Sequence, residues 1–228
     1  MNARLPDGPF VVAIDGPAGS GKSTLAKKIA AAVDGVVIDT GAMYRSVTLT
    51  AQEAGVDLTD AEAVSRLARA VAIRFEPDAH GGQKVFIDDV DRSADIRTPA
   101  VNAAVSTVSA HAGVRERLVE LQRFMGRHGR VVMEGRDIGS HVFPDARFKF
   151  FLVADDRERA RRRLIEMRQA GRTDVTLEAI LANLRERDRL DSSRTASPLI
   201  KAPDAVEIDT TRLGIDEVLN KMLSCLFS

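Results

Sequence analysis

The segment Gly16-Pro17-Ala18-Gly19-Ser20-Gly21-Lys22-Ser23 fits the pattern G-x-x-x-x-G-K-[ST], and its residue types state their own chemistry. Glycines allow the dihedrals that turn successive backbone N–H groups inward as an anion nest. A helix starting where the pattern ends adds its partial positive charge at the same point. There Lys22 reaches the outer phosphates of a nucleoside triphosphate, and the Ser23 hydroxyl is placed to ligate Mg²⁺. The flanks are the required ones. The apolar run Phe10–Ile14 precedes the loop, and residues 21–33 follow with Leu25, Ile29 and Val33 at four-residue steps. A glycine turn with a surface lysine is the plainer alternative, but it leaves an eight-residue match between strand and helix unexplained.

Three arginine clusters offer further anion sites. Residues 157–172 hold seven arginines (157, 159, 161, 162, 163, 168 and 172) against Glu158 and Glu166. A solvated helix face is the ordinary reading of such a run. Gly171-Arg172-Thr173-Asp174 breaks it before a second amphipathic stretch, so two helices joined by a short hinge, closing over phosphates, are also consistent. Arg159, Arg162 and Arg163 share a side by helical spacing, and phosphate contact is expected from at least one of them. Arg187, Asp191 and Arg194 fall at steps of four and three, two cations around a carboxylate, which suits either a nucleoside monophosphate or a helix-end ion network. Glu134-Gly135-Arg136-Asp137-Ile138-Gly139 follows an apolar run, where ligands of open α/β sheets bind. Here an arginine can take a phosphate, and its aspartate neighbour can accept from the N4 amine of cytosine, whereas uracil presents a carbonyl.

The elements that must position these residues alternate. Short β-branched runs at 10–14, 36–38, 130–134, 148–153 and 205–208 are separated by helical stretches, an α/β pattern with crossover helices. Helices are expected at 21–33, 41–54, 156–170, 176–190 and 215–226. Another is marked by Val114, Leu118, Leu121 and Met125, and Ser106 and Ser109 lie in a Ser/Ala-rich helix before it. The middle differs. After a helix at 60–70, Val71–Glu76 and Lys84–Asp88 alternate in hydropathy around Pro77-Asp78 and Gly81-Gly82, a hairpin signature. Asp155-Asp156 ends one apolar run, as an acidic strand end or as a helix cap.

Composition narrows the classes. The 228 residues carry 33 Lys+Arg and 33 Asp+Glu, so the formal net charge is zero, unlike a protein that grips long nucleic acid. Lysine stands only at 22, 27, 28, 84, 149, 201 and 221, so the basic set is dominated by arginine, suited to bidentate capture of phosphate. Apolar content of 44% and charged content of 29% describe a globular chain. Cys225 stands alone, and His80, His111, His128 and His141 have no metal-ligand spacing. With neither a signal segment nor a membrane-length apolar run, the expected location is the cytoplasm, with no membrane partner.

Taken together, I-D-G-P-A-G-S-G-K-S at 14–23, D-T-G-A-M-Y-R at 39–45 and D-I-R-T at 95–98 resemble the bacterial-type cytidylate kinases. So do E-G-R-D-I-G at 134–139, V-F-P-D-A at 142–146 and E-R-D-R-L-D-S-S-R at 186–194, and the likeness spans nearly the whole chain. The resemblance implies a P-loop NTPase fold: a five-stranded parallel sheet with flanking helices, a helical lid and a small monophosphate-binding insert with antiparallel strands. It implies one kinase domain over 1–228, with a core at about 9–59, 100–154 and 195–228, an insert at about 60–99 and a lid at about 155–194. ATP would bind Gly16, Pro17, Ala18, Gly19, Ser20, Gly21, Lys22, Ser23 and Thr24, with Mg²⁺ on Ser23. CMP would meet Ser106, Arg115 and Asp137 at the base, Arg45, Arg136 and Arg194 at the phosphate, and Asp191 at the ribose, with Thr40 and Tyr44 close by. Lys22, Arg136, Asp137, Arg162, Arg187 and Arg194 would carry catalysis. The implied reaction is ATP + CMP ⇌ ADP + CDP, with dCMP as second acceptor, in a monomer that binds no nucleic acid.

Three rival classes make different demands. A kinase for UMP, dTMP or shikimate would share the loop and lid. An ATP-driven regulatory or motor protein should show a sensor region, which is not found, and a GTPase should show N-K-x-D, which is absent. An RNA-binding module needs stacking platforms, but aromatics are 4% of the chain, with no Trp and Tyr44 as sole Tyr.

Overall fold

A computed structural model describes residues 5–78, 83–169, 171–194 and 196–227. The apolar runs become strands β1 (Phe10–Asp15), β2 (Val36–Asp39), β6 (Arg130–Gly135), β7 (Phe148–Val153) and β8 (Val206–Asp209). They form one sheet in the order β2-β6-β1-β7-β8, every pair parallel. A parallel sheet must be covered on both faces, which is why these strands read as continuous apolar runs. Val11, Ala13, Val131 and Met133 point into one core, and Val12, Ile14, Val132, Phe150 and Leu152 into the other.

Helices α1 (Lys22–Val33) and α8 (Ile215–Leu226) close the second core. Leu25, Ile29 and Val33 are buried there, and so are Val218, Met222 and Leu226, each set repeating at four residues as one helical face requires. The first core is closed by α2 (Thr40–Glu53), α4 (Pro99–Ala110) and α5 (Ala112–Met125). Asp39 starts α2 by accepting from the Ala42 N–H at 3.0 Å. Thr98 does the same for α4, with Pro99 at its first position.

Between α2 and α4 the chain makes α3 (Ala61–Ala70), then β3 (Ile73–Pro77), β4 (Gln83–Ile87) and β5 (Val90–Asp91) as an antiparallel sheet. Phe75 pairs with Val85, so the hairpin takes the register its alternation indicates. The turn expected at Gly81-Gly82, like His80, lies outside the described residues. Strand β5 was not expected. It is two residues long, with Val90 58% exposed, and pairs Val90 with Ile87 across a two-residue turn. Asp88 and Asp89 both take positive φ there (47° and 66°), as a type I′ turn needs. Ile73, Val85 and Ile87 pack into the same core as Val11 and Met133, so this segment is seated on the main sheet.

Helices α6 (Asp156–Gln169) and α7 (Leu177–Ser193) form a hairpin with its own small core of Ala160, Ile180 and Leu184. Asp155 accepts from the Arg157 and Glu158 N–H groups at 2.9 and 3.3 Å, so it caps α6. Asp156 pairs with Arg185 of α7 at 2.6 Å. Thr176 caps α7 through the Ala179 N–H. Among the described residues no helix is long and apolar enough to cross a membrane.

Candidate active site

A cleft of about 960 Å³ opens over the carboxyl ends of β1, β2 and β6, the position expected for ligands of an open α/β sheet. One wall is the loop between β1 and α1. Gly16, Gly19 and Gly21 hold positive φ (146°, 77° and 93°). Gly16 has a second constraint, because a Cβ there would sit 2.2 Å from the Leu152 carbonyl oxygen, a backbone atom of β7. Residues Ala18 to Thr24 line the cleft. Gly16 and Pro17 lie behind them at the base of the loop. The Pro17 carbonyl accepts from Lys22 Nζ at 2.6 Å and from Ser20 Oγ at 3.0 Å.

Lys22 is buried, and burial first, then the facing Arg136, lowers its ammonium to about 7. Ser23 Oγ donates to Glu134 Oε2 at 2.9 Å. Burial, then Asp39 beside it, pushes the Glu134 carboxyl up to about 7. Asp15, which ends β1, accepts from the Ile138 and Gly139 N–H groups at 2.8 and 2.7 Å. Burial raises Asp15 to about 6 despite those two amides. The wide, π-helical turn Ile138–Val142 is thereby pinned to the start of the loop, which fixes where Arg136 and Asp137 emerge from β6.

The opposite wall is built of arginines. Arg136 Nε donates to Asp191 Oδ2 at 2.9 Å, and Arg194 lies 3.5 Å from Asp191 Oδ1. Burial alone would raise Asp191, but Arg136 and Arg194 outweigh it and hold the carboxylate below its ordinary value. Arg45 pairs with Asp39 at 2.8 Å, and Arg97 approaches the same oxygen at 3.7 Å. Deeper in, Arg115 Nη2 donates to Asp137 Oδ2 at 2.5 Å, with side chains 4% and 6% exposed. The same guanidinium lies over the Tyr44 ring, 5.4 Å from its centroid. Ser106 and Ser109 line this end, and Ser109 Oγ donates to the Ser106 carbonyl.

All the residues expected at an acceptor (Thr40, Tyr44, Arg45, Ser106, Arg115, Arg136, Asp137, Asp191 and Arg194) line this one cleft with the loop. Thr40 differs in detail: its hydroxyl donates to the Glu134 carbonyl at 2.7 Å, tying α2 to β6. Arg187 lines the cleft, lowered to about 10 by burial and then by Arg136. Arg162 also lines it, but is held by Glu158 and by the Thr210 carbonyl (2.6 Å) and hydroxyl (3.1 Å). Arg163 lines it too, whereas Arg159, expected on the same side, is buried under the loop. The helix is rolled about its axis by Ala160, which faces α7. Sequence reasoning missed Glu134, Asp15, Asp39 and Arg97 as parts of the site, although all four stand in or beside quoted motifs. Among the described residues no group of three or more His, Cys, Asp and Glu side chains could hold a metal.

Buried donors without partners show what the cleft is built for. They include Arg45 Nε, Arg115 Nε, Arg187 Nε and Arg194 Nη2, all on residues that line it. Leaving such groups unpaired costs about 1–3 kcal/mol each, and anionic oxygens satisfy them. A phosphate-binding loop facing such arginines on a parallel sheet is the arrangement of a P-loop kinase that acts on a small acceptor.

Comparison with known proteins specifies the family. The cytidylate kinase family model matches residues 12–227. The cytidylate kinase of Bacillus pumilus is 49% identical over 212 residues, covering 93% of each chain. That of Pelotomaculum thermopropionicum is 47% identical over 213 residues, covering 93% of this chain and 94% of its own. Among solved structures, an uncharacterized protein of Eubacterium ventriosum aligns over 96% of this chain and 99% of its own, with TM-score 0.50 and 13% identity, a likeness of fold. The chain belongs to the cytidylate kinase family.

Proposed function

We propose that the chain transfers the γ-phosphoryl group of ATP to CMP, with dCMP as a second acceptor. The observation that carries this is the set of unpartnered buried arginine donors across the cleft from the glycine loop. On this reading the loop amides and Lys22 hold the donor phosphates, and Arg45, Arg136 and Arg194 hold the acceptor phosphate. Arg115 and Ser106 donate to the base, Asp137 accepts from its amine, Tyr44 packs beside it and Asp191 takes a ribose hydroxyl. The Ser23 hydroxyl and Glu134 carboxylate, in contact at 2.9 Å, fit Mg²⁺, a hard cation that takes few protein oxygens and keeps waters and phosphate oxygens. When bound, Mg²⁺ supplies charge neutralisation at the β- and γ-phosphates.

No strong base is required, because a monophosphate oxygen is already ionised near neutral pH. Catalysis then consists of alignment and of positive charge placed where negative charge is shared in an in-line transfer. Lys22 and Arg136 serve that role from the core, Arg187 and Arg162 from α7 and α6. Residues 155–194 act as the lid, excluding water so that ATP is not simply hydrolysed. Residues 60–99 form the insert that brings Arg97 to the acceptor side. Lys22→Ala is expected to lower turnover of ATP and CMP by about 10²–10⁴ with native far-UV circular dichroism. Wild-type turnover in that variant would overturn the donor-site assignment.

A further inference from the structure

Arg159 is the one member of the expected lid face that turns away from the cleft, and its contacts join three elements. It sits in the first turn of α6, 5% exposed. Each of its three guanidinium nitrogens has a partner: Nε donates to the Ala154 carbonyl at 3.1 Å, Nη1 to the Ala18 carbonyl at 3.1 Å, and Nη2 lies 2.7 Å from Asp188 Oδ2. Ala18 lies in the phosphate loop and lines the cleft. Asp188 lies on α7, directly after Arg187 and three residues before Asp191. One guanidinium therefore spans from the donor loop to the helix that carries acceptor-side charges. The packing repeats the link, because Ala18 also lies against the lid core of Ala160, Ile180 and Leu184. At Gly19 a Cβ would come 3.2 Å from the Arg159 Cβ, so loop and helix are in close contact along this edge.

We infer that Arg159 is a positioning residue that couples the two substrate sites, so that filling the donor loop tightens acceptor binding. This rests on the reading of the loop as ATP site and of the arginine wall as CMP site. Phosphates that fix the Ala18 peptide fix its carbonyl, and with it the fork and Asp188. Arg187 and Asp191, within a turn of Asp188, are then set in the cleft. By linkage the effect is reciprocal: CMP must tighten ATP by the same factor. A charge-assisted planar fork suits the task, since it fixes direction as well as distance.

The test is calorimetric titration of CMP into the whole protein with Mg²⁺, with and without a saturating non-hydrolysable ATP analogue. Wild type is expected to bind CMP at least about fivefold more tightly with the analogue. Arg159→Met and Asp188→Asn should each bring that ratio close to one, and the double variant should go no further. Arg159→Lys keeps the charge but loses the fork, and is expected to recover only part of the ratio. A loss of packing alone would lower the melting temperature and leave the ratio intact. Should Arg159→Met fail to fold, Asp188→Asn decides, since Asp188 is 24% exposed and the change removes only charge. A wild-type ratio near one, or variants that keep the wild-type ratio, overturns the inference while the proposed activity stands. Absence of CMP binding to the wild type overturns both.

Discussion

Arg115 and Asp137 form an ion pair taken almost wholly out of water, at 2.5 Å with side chains 4% and 6% exposed. Its energetics can be worked out from that burial. Arg115→Met removes the cation and leaves the Asp137 carboxylate, 6% exposed at the inner end of the cleft, without its ion-pair partner. Asp137→Asn leaves the guanidinium, with its already unpartnered Nε, in the same position. Removing one partner of such a pair costs about 3–5 kcal/mol, whereas replacing both with neutral groups of similar size is often close to neutral. The expectation is therefore non-additive. Each single variant should lose about 3–5 kcal/mol, a large share of the roughly 5–15 kcal/mol that folds a domain. The double variant should lose less than either single one. Urea denaturation of the four proteins at 25 °C gives the cycle directly. Single losses below about 1 kcal/mol, as for exposed pairs, or a double loss equal to the sum of the singles, would refute the reasoning.

Two further expectations concern the donor loop. Gly16→Ala forces a methyl group to within 2.2 Å of the Leu152 carbonyl at φ 146°, and the β1–β7 ladder beside it resists displacement; it should cost at least about 3 kcal/mol. Gly55→Ala, at φ 65° with nothing within 4 Å of the added carbon, should cost only about 1–2 kcal/mol in the same unfolding assay; equal losses would contradict the steric account. Lys22, lowered to about 7, is mostly neutral at pH 8 and charged at pH 6. Triphosphate beside it favours the ammonium and raises that value, so donor binding should take up close to one proton at pH 8, whereas at pH 6 Lys22 takes up almost none and Glu134, raised to about 7, gives up its proton as Mg²⁺ binds. Titration calorimetry in buffers of different ionisation enthalpy measures this, and no uptake at pH 8 would contradict it.

Much of the fold is legible in the sequence because local pattern and tertiary role agree. Leu25, Ile29 and Val33 repeat at the helical period and all three are buried in α1. Strand β5 is not legible, since Val90 and Asp91 are both exposed and leave no alternation to find. Its signal is the Asp88-Asp89 turn. The loop and the arginine clusters are legible as chemistry because their spacing is local. Asp137 and Asp191 are legible with them, but Glu134, Asp15 and Asp39 are not. Glu134 reaches Ser23 only through the parallel register that sets Ile14 and Asp39 level with it, a relation between distant segments. The split among the lid arginines is likewise tertiary. Helical spacing puts Arg159, Arg162 and Arg163 on one side, but the seating of Ala160 against α7 draws Arg159 under the loop and leaves the other two at the cleft.

The central claim is phosphoryl transfer from ATP to a cytidine monophosphate. A coupled assay of ADP release, run with ATP and Mg²⁺ across CMP, dCMP, UMP, AMP and dTMP, tests it most directly. The expected result is the highest kcat/KM with CMP, substantial turnover with dCMP, and little ADP release without an acceptor. Preference for UMP, AMP or dTMP, or acceptor-independent release at a comparable rate, would contradict it.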